Sequence, residues 1–278
     1  MQYSTFAAID IGSYDVILEI FEISKKQGIR SVDKICHRME LGKDTYTLGK
    51  IRPEMEEELC RVLADFVRIM EGYRVDDYRA TASSAISEAS NSLYVLGKIH
   101  QLTGFSVTVL SNSEQRFLSY KALAAMEDNF NKIIEKGTAI LDLDGGSFQI
   151  SLFDKDALVT TQNIRMGSLR IRERLAGIQS ETEHYEEMVE ELIWNEVSSF
   201  KKMYLKDRKI ENIMLIGDVF TDSVYQNIEE KTTKIISREN FNTWYEKIIR
   251  QSPMELAVKL GIPLENASLM YPSAVIYK

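Results

Sequence analysis

Apolar and polar side chains alternate at the start of the chain. Residues 5 to 11, TFAAIDI, and 16 to 23, VILEIFEI, read as two strands, because a half-buried strand repeats every second residue. Gly12 and Ser13 supply the turn between them, and IRSVDKICHRMEL, from Ile29, predicts a third strand. From Arg52 the period changes. Met55, Leu59, Val62, Leu63, Phe66 and Met70 fall at helical spacing, with Pro53 suited to the first turn and Gly72 to the stop. DYRATAS then predicts a strand, NSLYVLGKIHQLTG a helix ending at Gly104, and FSVTVL another strand. SEQRFLSYKALAAM predicts a helix capped by Ser113.

The second half restarts the pattern. TAILDLDGGS, FQISLF and ALVTTQNIRMG predict a three-stranded meander, followed by a long helix centred on HYEEMVEELIWNEVSSFKKMY. IENIMLIG reads as a strand, and RENFNTWYEKIIRQ and SPMELAVKLG as helices. The strand, Gly-Ser-type turn, strand unit thus occurs twice, near residue 10 and near residue 144. Each copy opens an α/β half. This predicts twin domains, residues 1–130 and 131–278, dividing near residues 125 to 137 and facing each other across a cleft. A glycine turn offers several backbone N–H groups to one anion, and an acidic residue at a strand end can hold a divalent ion beside phosphates. The second turn, DLDGGS, is unusual in bringing two carboxylates of its own, Asp142 and Asp144.

Composition narrows the partners. The chain has 278 residues, 44% hydrophobic and 27% charged, which is enough for a sizeable core. A net charge of −8 argues against broad binding of nucleic acid. No apolar run reaches membrane-span length, and the N-terminus lacks the pattern of a signal peptide. Cys36 and Cys60 form no CxxC pair; they fit a reducing cytoplasm and are expected to be small buried hydrophobes. His37, His100 and His184 are too scattered for a zinc site. Tyr94, Phe105, Phe117 and Tyr120 are expected in the core. Arg165, Arg170, Arg172 and Arg174 could line the cleft, but a solvated helix face is the favoured expectation, as it is for the acidic run ETEHYEEMVEEL.

An ordered set of segments resembles the exopolyphosphatase and guanosine pentaphosphate phosphohydrolase (Ppx/GppA) family of the actin-like superfold. These are DIGSYD at 10–15, ASSAISEASN at 82–91, the SNSEQRF segment after FSVTVL, LDLDGGSFQI at 141–150, RMGSLRIRERL from Arg165 and NASLMYPSAVIY from Asn266. The resemblance implies two RNase-H-like (actin-like, ASKHA) α/β domains around a phosphate-binding cleft. It further implies hydrolysis of the terminal phosphate of polyphosphate, or of guanosine pentaphosphate, with Mg²⁺ or Mn²⁺. By the same resemblance Glu114 activates the attacking water, and Gly12, Ser13, Gly145, Gly146 and Ser147 bind phosphate. Asp10, Asp142, Asp144 and Gln149 fall to the metal. The family often dimerises, which leaves a homodimer open.

Departures from the family pattern cluster at the site. Tyr14 and Asp15 replace Asn and Ser of the first turn, Ser87 an arginine, Asn112 a glycine, Gln115 a glutamate, Asp144 a glycine and Gln149 a glutamate. The third glycine turn is represented by GDVFTDS at 217–223. A carboxylate about 4 Å from phosphate costs on the order of 4 kcal/mol at an effective dielectric of about 20. Asp15, Asp144 and Asp218 add charge of the same sign as phosphate, so either Asp142 and Asp144 recruit an extra metal ion that bridges to phosphate or the second loop no longer binds phosphate. Three functions follow: an active phosphohydrolase; a non-catalytic relative that binds a nucleotide, phosphate ligand or protein partner; and a sugar kinase or ATPase of the superfold, disfavoured by the poor third turn.

Overall fold

A computed structural model describes residues 3–126, 130–177, 185–206, 208–217 and 236–278. The backbone forms two compact units, one up to Arg116 and one from Phe117 onward. The division falls inside a helix, ahead of the 125–137 region anticipated from the sequence.

In the first unit, β1 (Ser4–Ile11), β2 (Asp15–Ser24) and β3 (Gly28–Arg38) form an antiparallel meander. After helices α1 (Leu41–Leu48) and α2 (Pro53–Tyr73), β4 (Asp77–Ala82) joins β1 in parallel. Helices α3 (Ser84–Ser87) and α4 (Ser92–Thr103) lead to β5 (Val107–Val109), giving the order β3-β2-β1-β4-β5. Ala7, Ile9 and Ile11 of β1 and Val16, Leu18 and Ile20 of β2 are fully buried, alternate residues that pack with Leu59, Leu63 and Phe66 of α2. The strand period and the helix period therefore meet in one core. Pro53 is the first residue of α2, as expected. The helix runs through Gly72 and stops where Arg74 turns left-handed at φ 53°. Helix α1 was not legible in the sequence. Its buried Asp44 accepts bonds from the Arg52 N–H and Nε, both at 2.9 Å, which ties it to the start of α2.

Helix α5 (Asn112–Met126) carries the division between the units. In the second unit, α6 (Phe130–Ile134) precedes β6 (Thr138–Leu143), β7 (Phe148–Asp154) and β8 (Ala157–Ile164), again an antiparallel meander. After α7 (Ser168–Leu175) and α8 (Tyr185–Tyr204), β9 (Asn212–Ile216) joins β6 in parallel. Helices α9 (Arg238–Ile249), α10 (Pro253–Leu260) and α11 (Leu264–Tyr277) complete the unit. The described sheet order is β8-β7-β6-β9. β7 is buried almost throughout because both sheet faces are covered. One face packs with α7, α8 and α11; the other gathers Ile140 and Phe153 with Phe130, Ile134 and Tyr120.

Several expectations about single side chains are corrected. Phe105 is buried and Tyr120 packs against a core, but Tyr94 and Phe117 are 65% and 58% exposed on outward helix faces. Cys60 is buried, whereas Cys36 is exposed on β3. Arg165 and Arg174 are solvated, but Arg170 and Arg172 are partly buried and make tertiary contacts. Within the acidic run, Glu187, Glu190 and Glu191 are exposed; residues 181–184 lie outside the described residues. No helix among the described residues is long and apolar enough to cross a membrane.

Candidate functional site

The two turns foreseen in the sequence are present, each at the end of a buried strand. In the first unit the β1–β2 turn closes through the Gly12 N–H donating to Asp15 O at 2.9 Å. A Cβ at residue 12 would stand 2.8 Å from that same oxygen, so glycine is needed for close approach. Ser13 is 1% exposed. Its hydroxyl shares a 2.7 Å bond with the Tyr46 hydroxyl, which is itself 2.9 Å from Ser84 Oγ. Its carbonyl accepts the Gly42 N–H at 2.8 Å. The expected phosphate serine is thus held inside a hydroxyl cluster contributed by α1 and α3.

Tyr14 and Asp15 are also engaged. The β2–β3 register sets Arg38 opposite Asp15. Arg38 Nε donates to Asp15 Oδ1 at 2.5 Å, and Nη1 donates to the Tyr14 hydroxyl at 2.9 Å. The guanidinium lies 4.1 Å from the Tyr14 ring centroid, a cation–π contact. The expectation that Asp15 presents an unshielded negative charge is therefore corrected: an arginine that sequence reasoning passed over neutralises it. Asp10 reaches solvent at its surface, yet enough protein surrounds it that desolvation raises its pKa. The Thr81 hydrogen bond opposes this and the Asp15 charge adds to it, while water at the open surface softens the effect. Ser87, where the family carries arginine, is exposed on α3.

Glu114 sits in the first turn of α5 and is exposed. The Ser111 N–H and hydroxyl donate to its Oε2 at 2.9 and 2.7 Å, and the Glu114 N–H donates to Ser111 Oγ at 3.3 Å. This is a capping box. The helix begins one residue before Ser113 and its cap is Ser111, which the S-x-x-E spacing could have revealed. The Ser111 backbone and hydroxyl bonds hold the Glu114 carboxyl below the ordinary glutamate range, with the Arg79 charge assisting.

In the second unit the turn from Asp144 to Ser147 is closed by the Asp144 N–H donating to Ser147 O at 2.9 Å. Asp144 Oδ1 accepts the Gly145 N–H at 2.6 Å. On the other side, the Arg170 N–H donates to Gly145 O at 2.9 Å and Arg170 Nε to Gly146 O at 2.8 Å. Helix α7 can approach this closely because Gly167 has no side chain; a Cβ there would overlap Asp144 O and Gly145. Ser147 Oγ accepts from Asn163 Nδ2 at 3.2 Å. Asp142 pairs in register with Gln149, and Ser119 Oγ of α5 donates to Asp142 Oδ2 at 2.8 Å. Burial raises the Asp142 pKa and the Ser119 bond only partly offsets it. Gly217, at φ 76°, ends β9 against Leu143 O and beside Asp142, with the Tyr277 hydroxyl donating to its carbonyl. The rest of the third turn, including Asp218, lies outside the described residues. Asp142, Asp144, Gly145, Gly146, Ser147 and Gln149 are therefore assembled in one unit, together with Ser119, which the sequence reading passed over, and Arg170, for which it had favoured a solvated face over the cleft.

The Ppx/GppA phosphatase family matches residues 19–278. The chain belongs to that family. It is 22% identical over 238 residues to a bifunctional 3-dehydroquinate synthase/phosphatase of Fusobacterium nucleatum, a match covering 81% of this chain and 34% of that protein. It is 25% identical over 144 residues to exopolyphosphatase 1 of Mycobacterium leprae, covering 51% of this chain and 41% of that one. The match thus spans well under half the length of these curated relatives. Among solved structures, an exopolyphosphatase from Cytophaga hutchinsonii superposes with a TM-score of 0.84 at 19% identity, covering 99% of this chain and 89% of that one. The Aquifex aeolicus family member gives a TM-score of 0.75 at 19% identity, with the same coverages. These likenesses establish the actin-like fold.

The family implies a divalent metal, and the donor chemistry here fits one in a limited way. Among the described residues no three His, Cys, Asp or Glu side chains form a cluster that could hold an ion. Mg²⁺, however, commonly takes one or two carboxylates and fills its shell with water and substrate oxygens. Asp142 suits this: it is a half-buried carboxylate, raised in pKa by desolvation, with no basic partner among the described residues.

Proposed function

We propose that this Ppx/GppA family member is a metal-assisted phosphohydrolase that releases the terminal phosphate of inorganic polyphosphate or guanosine pentaphosphate. The observation that carries the reading is Asp142. It lies at the end of β6, held by Ser119, beside a glycine turn whose carbonyls are drawn away by Arg170. A desolvated carboxylate without a basic partner favours a cation, and a turn with its carbonyls tied back presents its N–H edge to an anion. In the second unit Asp142 would hold Mg²⁺ or Mn²⁺, which supplies charge neutralisation and polarisation of the phosphoryl oxygens. Gly12, Gly145, Gly146 and Ser147 would orient phosphate. Glu114, ionised at neutral pH, would position the attacking water more than deprotonate it, because a lowered pKa makes a weak base.

The test is phosphate release from both substrates with Mg²⁺ or Mn²⁺, wild type beside Glu114→Gln. Metal-dependent release lost in the variant supports the reading. A second reading, a non-catalytic relative that binds a nucleotide, phosphate ligand or protein partner, is favoured by the internal engagement of Ser13, Asp15 and Asp144. It prevails if wild type releases no phosphate from either substrate under any of these conditions.

A further inference from the structure

The second turn has three backbone features that bear on its ligand. Its Gly145 and Gly146 carbonyls are both committed to Arg170. Its first glycine N–H donates to the Asp144 carboxylate at 2.6 Å. Its second, the N–H of buried Gly146, donates to no acceptor among the described residues. A buried N–H without an acceptor is rare and costly. Two successive N–H groups of a turn form a concave donor pair that suits an oxygen anion. Here one member of the pair is satisfied by a neighbouring carboxylate and the other meets no acceptor among the described residues.

We infer that Asp144 is a self-supplied anion at the second glycine turn, which a phosphoryl ligand must displace to take both N–H groups. The inference rests on the phosphate-binding reading above and deepens it. The consequence is selectivity. A free polyanion arriving at the turn meets a carboxylate of its own sign, already hydrogen-bonded in place. A metal-complexed phosphoryl group brings less negative charge and can move the carboxylate aside. Asp144 therefore discriminates against bare phosphate chains by repulsion, in the way specificity is commonly built from an unfavourable contact with the wrong ligand. Where the family carries glycine, this chain adds a filter. The role is distinct from metal ligation by Asp144, and the two predict opposite effects of removing it.

The experiment is calorimetric titration of the full chain with tripolyphosphate, with and without Mg²⁺, for wild type, Asp144→Asn and Asp144→Gly. Asn keeps an acceptor for Gly145 and removes the charge; Gly removes both. Circular dichroism melts establish that each variant is folded. The expected result is Mg²⁺-dependent binding by wild type and metal-free binding at least tenfold tighter in Asp144→Gly, with Asp144→Asn between. Amide spectra of Asp144→Gly should show the Gly145 and Gly146 signals moving on titration. Metal-free affinity in Asp144→Gly no greater than in wild type overturns the inference while leaving phosphate binding intact. Loss of Mg²⁺-dependent binding in both variants overturns it in favour of metal ligation. Absence of binding in wild type and both variants overturns the inference and the phosphate reading together.

Discussion

Glu114 caps α5 with Oε2, and in the function proposed above it would also orient water. The two roles can be separated by substitution. Gln at the third helical position can still accept the Ser111 bonds, so Glu114→Gln should leave stability nearly unchanged. Glu114→Ala loses the reciprocal cap and should lower stability measurably more than Glu114→Gln does. Urea titrations of both variants check this, and equal destabilisation would show that the box contributes little. The fold-neutral Gln variant is thus the proper probe of chemistry. The pH dependence has a definite sign. The folded Glu114 pKa lies below its ordinary value of 4.5, so its contribution is present above that value and disappears as pH falls through the lower, folded one. Acid should therefore loosen the start of α5, and Glu114→Gln should abolish that part of the acid response, read by amide exchange at Ser111 and Glu114. Glu255 repeats the arrangement with Ser252 at α10 and should behave alike.

At the scale of elements, the second turn is shaped by what packs on it. Gly167 has an ordinary φ of −76°, so its requirement for glycine is one of space and not of backbone strain. Gly167→Ala should push α7 from the turn and cost about 1–3 kcal/mol, the usual toll of overpacking. Weakened phosphate-ligand binding should accompany the stability loss. Thermal melts and titration together check it, and a variant as stable as wild type would mean that α7 docks loosely. A second tie, between α2 and α4, joins the buried Glu56 to Lys98 at 2.5 Å. Lys98→Met strands a buried carboxylate and should be clearly destabilising, whereas Glu56→Gln with Lys98→Met should recover most of the loss. A double-mutant cycle in denaturant measures it.

Each unit of the whole molecule has its own core, Phe66 lying in the first and Phe200 in the second. Both tryptophans, Trp194 and Trp244, belong to the second unit. Phe66→Ala should therefore destabilise the first unit by about 3–5 kcal/mol. Circular dichroism should then show an early transition while the tryptophan fluorescence midpoint stays in place. A fluorescence midpoint that moves with it would show that the units unfold as one.

Alternating and helical periods were enough to mark most strands and helices, because side-chain direction follows a fixed repeat in each. The repeated strand–turn–strand units, Pro53 at a helix start and Gly104 at a helix end were legible for the same local reason. Ordered motifs, including DIGSYD and LDLDGGSFQI, were enough to suggest the family that the match over residues 19–278 then established. Tertiary structure decided the rest. α1 is short and is held by Asp44 and Arg52, a contact that no periodicity announces. Arg38 meets Asp15 only through strand register, across 23 residues of chain, and so the charge attributed to the first turn could not be balanced from sequence. Arg170 was read as solvated because helix periodicity gives a face but not what lies against it. Why the second turn carries its own carboxylate follows from its folded geometry: Asp144 is an acceptor for the adjacent Gly145 N–H, and hydrogen-bond partners are fixed only once the backbone has turned.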